Sequence, residues 1–325
     1  MRIMKKKVFC MMVLCIGLLS SCDKDDIGFE EPIVPPIEEP EKPSVIPSTD
    51  DLIRVKIDDD IMAIVGSSDW KSVTYGNGKY VVVGTGGHTS TSVDGINWTT
   101  PKQIGTGTPW YDVCYGNGKF VAGGSDGYIT TSTDGINWST PIQVGSNSWL
   151  SVCYENGKFV AVGNKGYITS TVDSINWTTP IQIASPSVAN VVILNSVCYG
   201  NGKFVAGGSN GYVTTSIDGI RWTTPIKTEG VYFYSICYGN DRFVTIGGAG
   251  RTSTSVDGIN WSNPIQIVGG QYWNSVYYGN GKYVIVGTGG HTSTSVDGIN
   301  WTTPKQIANE NGNVILSELK GICSV

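Results

Sequence analysis

The chain is 325 residues long, 40% hydrophobic and only 15% charged, with 43 Gly, 16 Tyr and 10 Trp, a composition of tight turns and β-favouring aromatics that argues against a helical protein. Its formal net charge is -5. Arg2, Lys5, Lys6 and Lys7 lie in a segment expected to be removed, which takes the balance to about -9 and excludes nucleic-acid binding through a cationic face.

Residues 1–21 carry that basic start and then an apolar run from Val8 to Leu19, the layout of a secretory signal. The run is too short to span a bilayer comfortably. It ends in Leu19-Ser20-Ser21-Cys22, which resembles the bacterial lipobox. That resemblance implies a lipoprotein signal peptide over 1–21 and an acylated Cys22, held in the membrane by acyl chains at about 0.8 kcal/mol per buried methylene. Asp23-Lys24-Asp25-Asp26 resembles the export tag of Bacteroidota surface lipoproteins, implying an outer-membrane lipoprotein exposed at the surface. An ordinary solvated tether, with the anchor facing the periplasm, is the alternative. Pro32, Pro35, Pro36, Pro40, Pro43 and Pro47 alternate with Glu30, Glu31, Glu38, Glu39 and Glu41. Such a stretch buries no core and stays extended, so 22–50 reads as an acidic, Pro-rich tether and 51–325 as one folded domain.

The domain is repetitive. Trp110-Tyr-Asp-Val-Cys-Tyr-Gly-Asn-Gly-Lys-Phe-Val-Ala-Gly-Gly recurs from Trp70, Trp149, Leu194, Phe233 and Trp273, at spacings of 39 to 45 residues. Each copy predicts four short strands: a (Trp110 to Tyr115), b (Lys119 to Gly123), c (Tyr128 to Ser132) and d (Trp138 to Val144). Asn117-Gly118 between a and b supplies the positive φ angles of a tight hairpin. Four antiparallel strands in about 40 residues make a propeller blade, so the fold class is an all-β β-propeller. Forty residues without disulfides or metal seldom bury a core alone, which excludes a row of separate domains.

The ends set the blade number. Leu319-Lys-Gly-Ile-Cys-Ser-Val325 matches strand a of a further copy, and Ile61-Met-Ala-Ile-Val-Gly66 matches the end of a strand d. Seven blades, the last shared by both termini, is the expectation; six blades with two extra end strands is the alternative.

Ser92-Val93-Asp94-Gly95-Ile96-Asn97-Trp98 and its five relatives resemble the Asp-box (BNR-like repeat) of sialidase-type propellers, with one residue fewer between Asp and Trp than the commonest form. The residues themselves give a structural role to Asp94, Asp134, Asp173, Asp218, Asp257 and Asp297: each accepts backbone N–H bonds in its own turn, the following Gly takes a strained φ, and the Trp packs between blades. Ser174 replaces that Gly in the third copy. The resemblance implies that the a–b and c–d turns share one face and that ligands bind at the other, among the b–c and d–a loops.

On that other face the sequence places Trp110, Tyr111, Tyr128, Trp149, Tyr167, Tyr212, Tyr272 and Trp273, with Asp112 standing where sister copies have Ser. Aromatic faces beside polar groups suit a glycan or a protein ligand; the plainer reading has these tryptophans filling the space between blades. A sialidase, by the same resemblance, needs three arginines around the substrate carboxylate, and the exported part has only Arg54, Arg221, Arg242 and Arg251, two of them in turns of the wrong face. A two-carboxylate glycosidase could draw on Asp69, Asp112, Asp126 and Glu229, without a spacing that selects a pair. His88 and His291 are the only histidines and fall in separate blades, so no metal site is expected. Cys114, Cys153, Cys198, Cys237 and Cys323 repeat one strand-a position as small buried residues do. The first and sixth copies are nearly identical, Gly76–Ile104 and Gly279–Ile307 differing only at Val82 against Ile285, and duplicated blades bring duplicate binding groups more readily than a second catalytic centre. The expectation is therefore a monomeric binding module with no cofactor and no catalytic residues, displayed at the cell envelope and taking a glycan or protein ligand. A non-sialidase carbohydrate-active enzyme and a structural envelope scaffold are the alternatives.

Overall fold

Asn-Gly pairs set the hairpins. In a computed structural model of the protein, which describes residues 54–58, 61–66, 70–183, 192–228, 232–267, 272–307 and 318–324, Asn117 and Gly118 hold φ of 47° and 73°, as a two-residue type I′ turn requires. The expected signal peptide, the Cys22 anchor and the 22–50 tether lie outside these residues. Residues 45–325 form one unit.

Two short strands come first, β1 (Arg54–Asp58) and β2 (Ile61–Gly66). Six four-stranded antiparallel sheets follow, each in simple sequence order. Blade one is β3 (Trp70–Gly76), β4 (Lys79–Gly84), β5 (His88–Ser92) and β6 (Lys102–Gln103). Blade two is β7 (Trp110–Gly116), β8 (Lys119–Gly124), β9 (Tyr128–Ser132) and β10 (Ile142–Gln143). Blade three is β11 (Trp149–Glu155), β12 (Lys158–Gly163), β13 (Tyr167–Thr171) and β14 (Ile181–Gln182). Blade four is β15 (Leu194–Gly200), β16 (Lys203–Gly208), β17 (Tyr212–Ser216) and β18 (Ile226–Lys227). Blade five is β19 (Ser235–Gly239), β20 (Arg242–Ile246), β21 (Arg251–Ser255) and β22 (Ile265–Gln266). Blade six is β23 (Trp273–Gly279), β24 (Lys282–Gly287), β25 (His291–Ser295) and β26 (Lys305–Gln306). The last strand is β27 (Glu318–Ser324).

The expectation of seven blades is corrected to six. Both ends do pair, Ile61 opposite Ser324 and Val65 opposite Leu319, but the resulting sheet has only three strands, in the order β1-β2-β27. Among the described residues the stretch before Trp70 supplies two strands and the segment after blade six one, so no fourth strand completes a blade. This closing sheet sits in the ring between blades six and one, with β27 packed against both β23 and β3.

Burial follows from packing on both faces of each sheet, which gives continuous apolar runs. The second strands are buried almost throughout, as in Lys119–Gly124. Each interface joins one blade's second strand to the next blade's first two: Val81 and Val83 of β4 meet Trp110, Val113, Phe120 and Ala122 of blade two, and Val121 of β8 meets Trp149, Val152, Phe159 and Ala161 of blade three.

The outer strand is shorter than expected. Where Trp138–Val144 was predicted, only Ile142–Gln143 pairs with β9, with one isolated bridge between Ser132 and Trp138. Pro141 has no N–H to give a ladder. Before it Ser139 N–H donates to the Thr131 carbonyl (2.8 Å) and the Thr130 hydroxyl donates to the Ser139 carbonyl (2.8 Å), holding the return without regular strand.

Candidate functional site

The inner strands do not alternate. In β7, Trp110 lies opposite Gly124 but Asp112 lies opposite Gly123, so Tyr111 is an extra residue on one side of the ladder. Such a bulge turns two consecutive side chains the same way. The same slip follows Trp70, Trp149, Leu194 and Trp273. As a result the second and third residues of the inner strands together line a central cavity of about 280 Å³. The residues that follow each buried anchor are Lys71, Tyr111, Leu150, Asn195, Tyr234, Asn274 and Lys320, of four types in all, at the most varied position of the repeated segment.

The third residues tie the wall together. Ser196 Oγ accepts the Ile236 N–H of the next blade (3.0 Å), Ser151 Oγ that of Val197 (3.3 Å) and Ser235 Oγ that of Val276 (3.3 Å). In blade two the acceptor is Asp112. Its Oδ2 takes the Val152 N–H (2.8 Å), while its Oδ1 takes the Ser72 hydroxyl (2.6 Å) and the Val113 N–H (2.9 Å). Desolvation in the channel wall raises the Asp112 pKa above the usual carboxylate value, against the pull of these hydrogen bonds. The second-residue amides also reach across blades: Asn195 Nδ2 donates to the Phe233 carbonyl and Asn274 Nδ2 to that of Leu319, both at 2.9 Å.

Of the residues singled out from sequence, Tyr111 and Asp112 line this cavity, and Tyr272 is 57% exposed. The open tryptophan rim is corrected. Trp110, Trp149 and Trp273 are 0% exposed, because each opens an inner strand on the side that faces the neighbouring blade. Tyr212 is likewise buried in the core between blades three and four. Tyr128 is half-buried against the interface of blades one and two, and Tyr167 against that of blades two and three. Tyr167 shares a cleft of about 170 Å³ with Ser146, Asn147 and the edge of Trp149. Sequence reading missed Lys71, Leu150, Asn195, Asn274 and Lys320. The signal was present as variability at the second position, but simple alternation puts that side chain on the opposite side from the third.

The c–d turns occupy the other face. Asn77 Nδ2 in an a–b turn donates to the Thr133 carbonyl in the next blade's c–d turn (3.2 Å), and Lys119 Nζ and Lys158 Nζ likewise reach the carbonyls of Asp173 and Asp218. Within each turn the aspartate organises the backbone. Asp94 Oδ1 accepts the N–H groups of Ile96 and Asn97 (both 2.8 Å) and the Ser92 hydroxyl (2.9 Å), and Oδ2 accepts Asn97 Nδ2 (2.7 Å). Asp134, Asp173 and Asp218 repeat this. Their carboxyls lie well below the usual range, first because of the backbone N–H of the third residue on. At Asp257 and Asp297 desolvation is the largest single effect and opposes the shift, yet the combined hydrogen bonds outweigh it. Trp98 Nε1 donates to the Gly95 carbonyl at 3.1 Å.

Other chemistry-bearing groups are spent locally. Burial pushes the thiols of Cys114, Cys153 and Cys198 well above their ordinary value and that of Cys323 to about 12, so they remain protonated and poor nucleophiles. His88 Nδ1 and His291 Nδ1 each contact a carbonyl of their own b–c loop, Thr85 at 3.0 Å and Thr288 at 2.9 Å. Among the described residues no group of His, Cys, Asp and Glu could hold a metal ion. Among the described residues no arginine lines the cavity. Arg221 is paired with Asp218 at 2.9 Å in its own turn, and Arg242 Nη1 donates to Thr254 Oγ1.

No protein-family model matches the chain, and no curated protein does. Solved structures do. One described as YCF48 bound to D1 peptide superposes with a TM-score of 0.57 at 19% identity, over 77% of this chain and 87% of that one. YCF48 from Cyanidioschyzon merolae superposes with a TM-score of 0.59 at 17% identity, over 80% of this chain and 90% of that one. At these identities the likeness shows a shared β-propeller fold.

Proposed function

We propose that the protein is a binding module that receives part of a partner protein at the mouth of its central channel, on the face opposite the c–d turns. One observation carries this. The repeated inner segment varies most from blade to blade at the position after its buried anchor, and that position lines the cavity, with Tyr111, Asn195 and Tyr234 around it. A nearly constant frame whose most variable position faces inward suits recognition better than it suits a bare scaffold. Tyr234 and Tyr272, 41% and 57% exposed, extend the surface outward as amphipathic contacts. The fold likeness to a propeller whose structure is described with a bound peptide adds modest support for a peptide over a glycan.

The c–d turns are a shortened Asp-box in this reading, and the module is an exported lipoprotein held by Cys22 at the outer membrane. The carbohydrate-active alternative is weaker. A two-carboxylate mechanism needs a pair, and among the described residues the cavity lining carries one carboxylate, Asp112, both of whose oxygens are already engaged in the wall.

The test is binding of the full chain to peptide and glycan arrays, repeated with Tyr111→Ala, Tyr234→Ala and, on the opposite face, Val93→Ser. Peptide binding lost in the tyrosine variants and kept in Val93→Ser supports the proposal. Binding that depends only on the c–d face, or glycan binding that dominates, overturns it.

A further inference from the structure

Two amides in the channel wall are only half engaged. Asn195 of blade four and Asn274 of blade six each follow a buried anchor, Leu194 or Trp273, and both line the central cavity. Each gives one amide hydrogen to the carbonyl of the next anchor around the ring, Asn195 Nδ2 to Phe233 and Asn274 Nδ2 to Leu319, both at 2.9 Å. A backbone carbonyl only accepts, so these bonds settle which end of each side chain is the nitrogen. One N–H and the Oδ1 acceptor of each amide remain, without a partner among the described residues. Neither oxygen is sealed from solvent. Ser275, next to Asn274 in the lining, adds a hydroxyl that accepts no N–H of the following strand among the described residues, unlike Ser151, Ser196 and Ser235.

Blade five stands between the two amides, its inner strand packed against those of blades four and six. Its Tyr234 is exposed and reaches its own b–c loop, where a Cβ added at Gly248 would lie 3.7 Å from the phenol oxygen. Asn195, Tyr234 and Asn274 therefore form one arc of the wall, whereas blades two and three present Tyr111 and Leu150. A free asparagine adapts to a donor or an acceptor by turning its amide over; a tethered one keeps its remaining donor and acceptor in fixed directions. A carboxylate brings acceptors only and meets Oδ1 lone pair to lone pair. An apolar side chain leaves both groups of each amide unpaired, which a closed site does not tolerate. An amide brings one donor and one acceptor and satisfies both. On the channel reading above, on which this rests, we infer that Asn195 and Asn274 select an amide group of the partner peptide, its N–H donating to Oδ1 and its carbonyl accepting from Nδ2. Tyr234 packs on the peptide beside them. A Gln or Asn side chain and the peptide's own backbone carry this same chemistry.

The experiment measures fluorescence anisotropy of labelled pentapeptide pools with randomised flanks and a fixed central Gln, Glu or Met, and of the Met pool with its central peptide bond N-methylated. The full chain is compared with the double variant Asn195→Leu/Asn274→Leu and with Tyr111→Ala, thermal melts confirming that each is folded. The expected result is a preference of about tenfold for the Gln pool over the Glu and Met pools. In the double variant that preference disappears while the Met pool binds at least as well as before, a change of selectivity that simple loss of structure does not produce. If the three pools bind alike but N-methylation weakens binding to the full chain and not to the double variant, the inference holds with the backbone as the source of the amide. A preference for Glu, or a Gln preference that survives the double variant, overturns it. If binding is lost in Tyr111→Ala but neither the central residue nor N-methylation matters, the channel reading stands and the amide inference alone fails. If no pool binds, both fail.

Discussion

Asp112 and the six turn aspartates have opposite consequences for stability. Burial raises the Asp112 pKa in the folded protein, so the folded state holds that proton more tightly than the unfolded chain. Stability then falls as pH rises from the ordinary carboxylate value through the raised one, and stays lower at neutral pH. Asp112→Ser, which copies the sister blades, is expected to raise Tm at pH 7 by an amount that shrinks toward pH 4. The turn aspartates, such as Asp94, are depressed, so their contribution is full above the ordinary carboxylate value and is lost as pH falls below about 4. Asp94→Asn is expected to lower Tm at pH 7 and to flatten the acid limb of a Tm-against-pH curve. Backbone strain gives a further pair of tests. Ala249 holds φ of 58° where the first and sixth copies have Gly, and Ala249→Gly should stabilise by about 0.5–1 kcal/mol in urea melts. Gly135→Ala should cost more than that gain: φ is +73° and the new Cβ would lie 2.6 Å from Val81 Cγ2 of the preceding blade.

At the scale of the strand, the bulge decides what each side chain does. Trp110 and Tyr111 are adjacent in sequence, yet one is core and the other wall. Trp110→Ala is expected to destabilise by about 3–5 kcal/mol, whereas Tyr111→Ala should leave urea melts nearly unchanged and act on binding. That contrast marks what was legible in the sequence. Lys119–Gly124 was placed to within one residue because the hairpin with Asn-Gly at its tip fixes strand positions tightly, and Tyr128–Ser132 to the residue because Ser125-Asp126-Gly127 marks the next turn. The outer strand was read too long because Pro141 removes a donor that hydrophobic pattern does not register. The channel lining was misread because periodicity assumes an unbroken ladder. One inserted residue reverses the direction of everything after it, and nothing in Trp-Tyr-Asp-Val announces where the insertion falls.

For the whole molecule, the repeat gave the propeller and the end segments gave the pairing of first strands with last. What sequence could not weigh was whether three strands would fill a blade. The closing sheet has β27 as its innermost strand, touching β23 on one side and β3 on the other. Removing residues 318–325 is therefore expected to lower Tm sharply and broaden the melt, since blades one and six lose the strand between them; an unchanged melt would mean that the ring is held without it. The seam also governs order in time. β2 is made well before β27, and their pairing is among the most sequence-distant of the described residues, the kind of contact that forms slowly. A ring whose closing joint unites two such distant strands stays open until that joint forms, so closure is a step that the strength of the individual blades does not set.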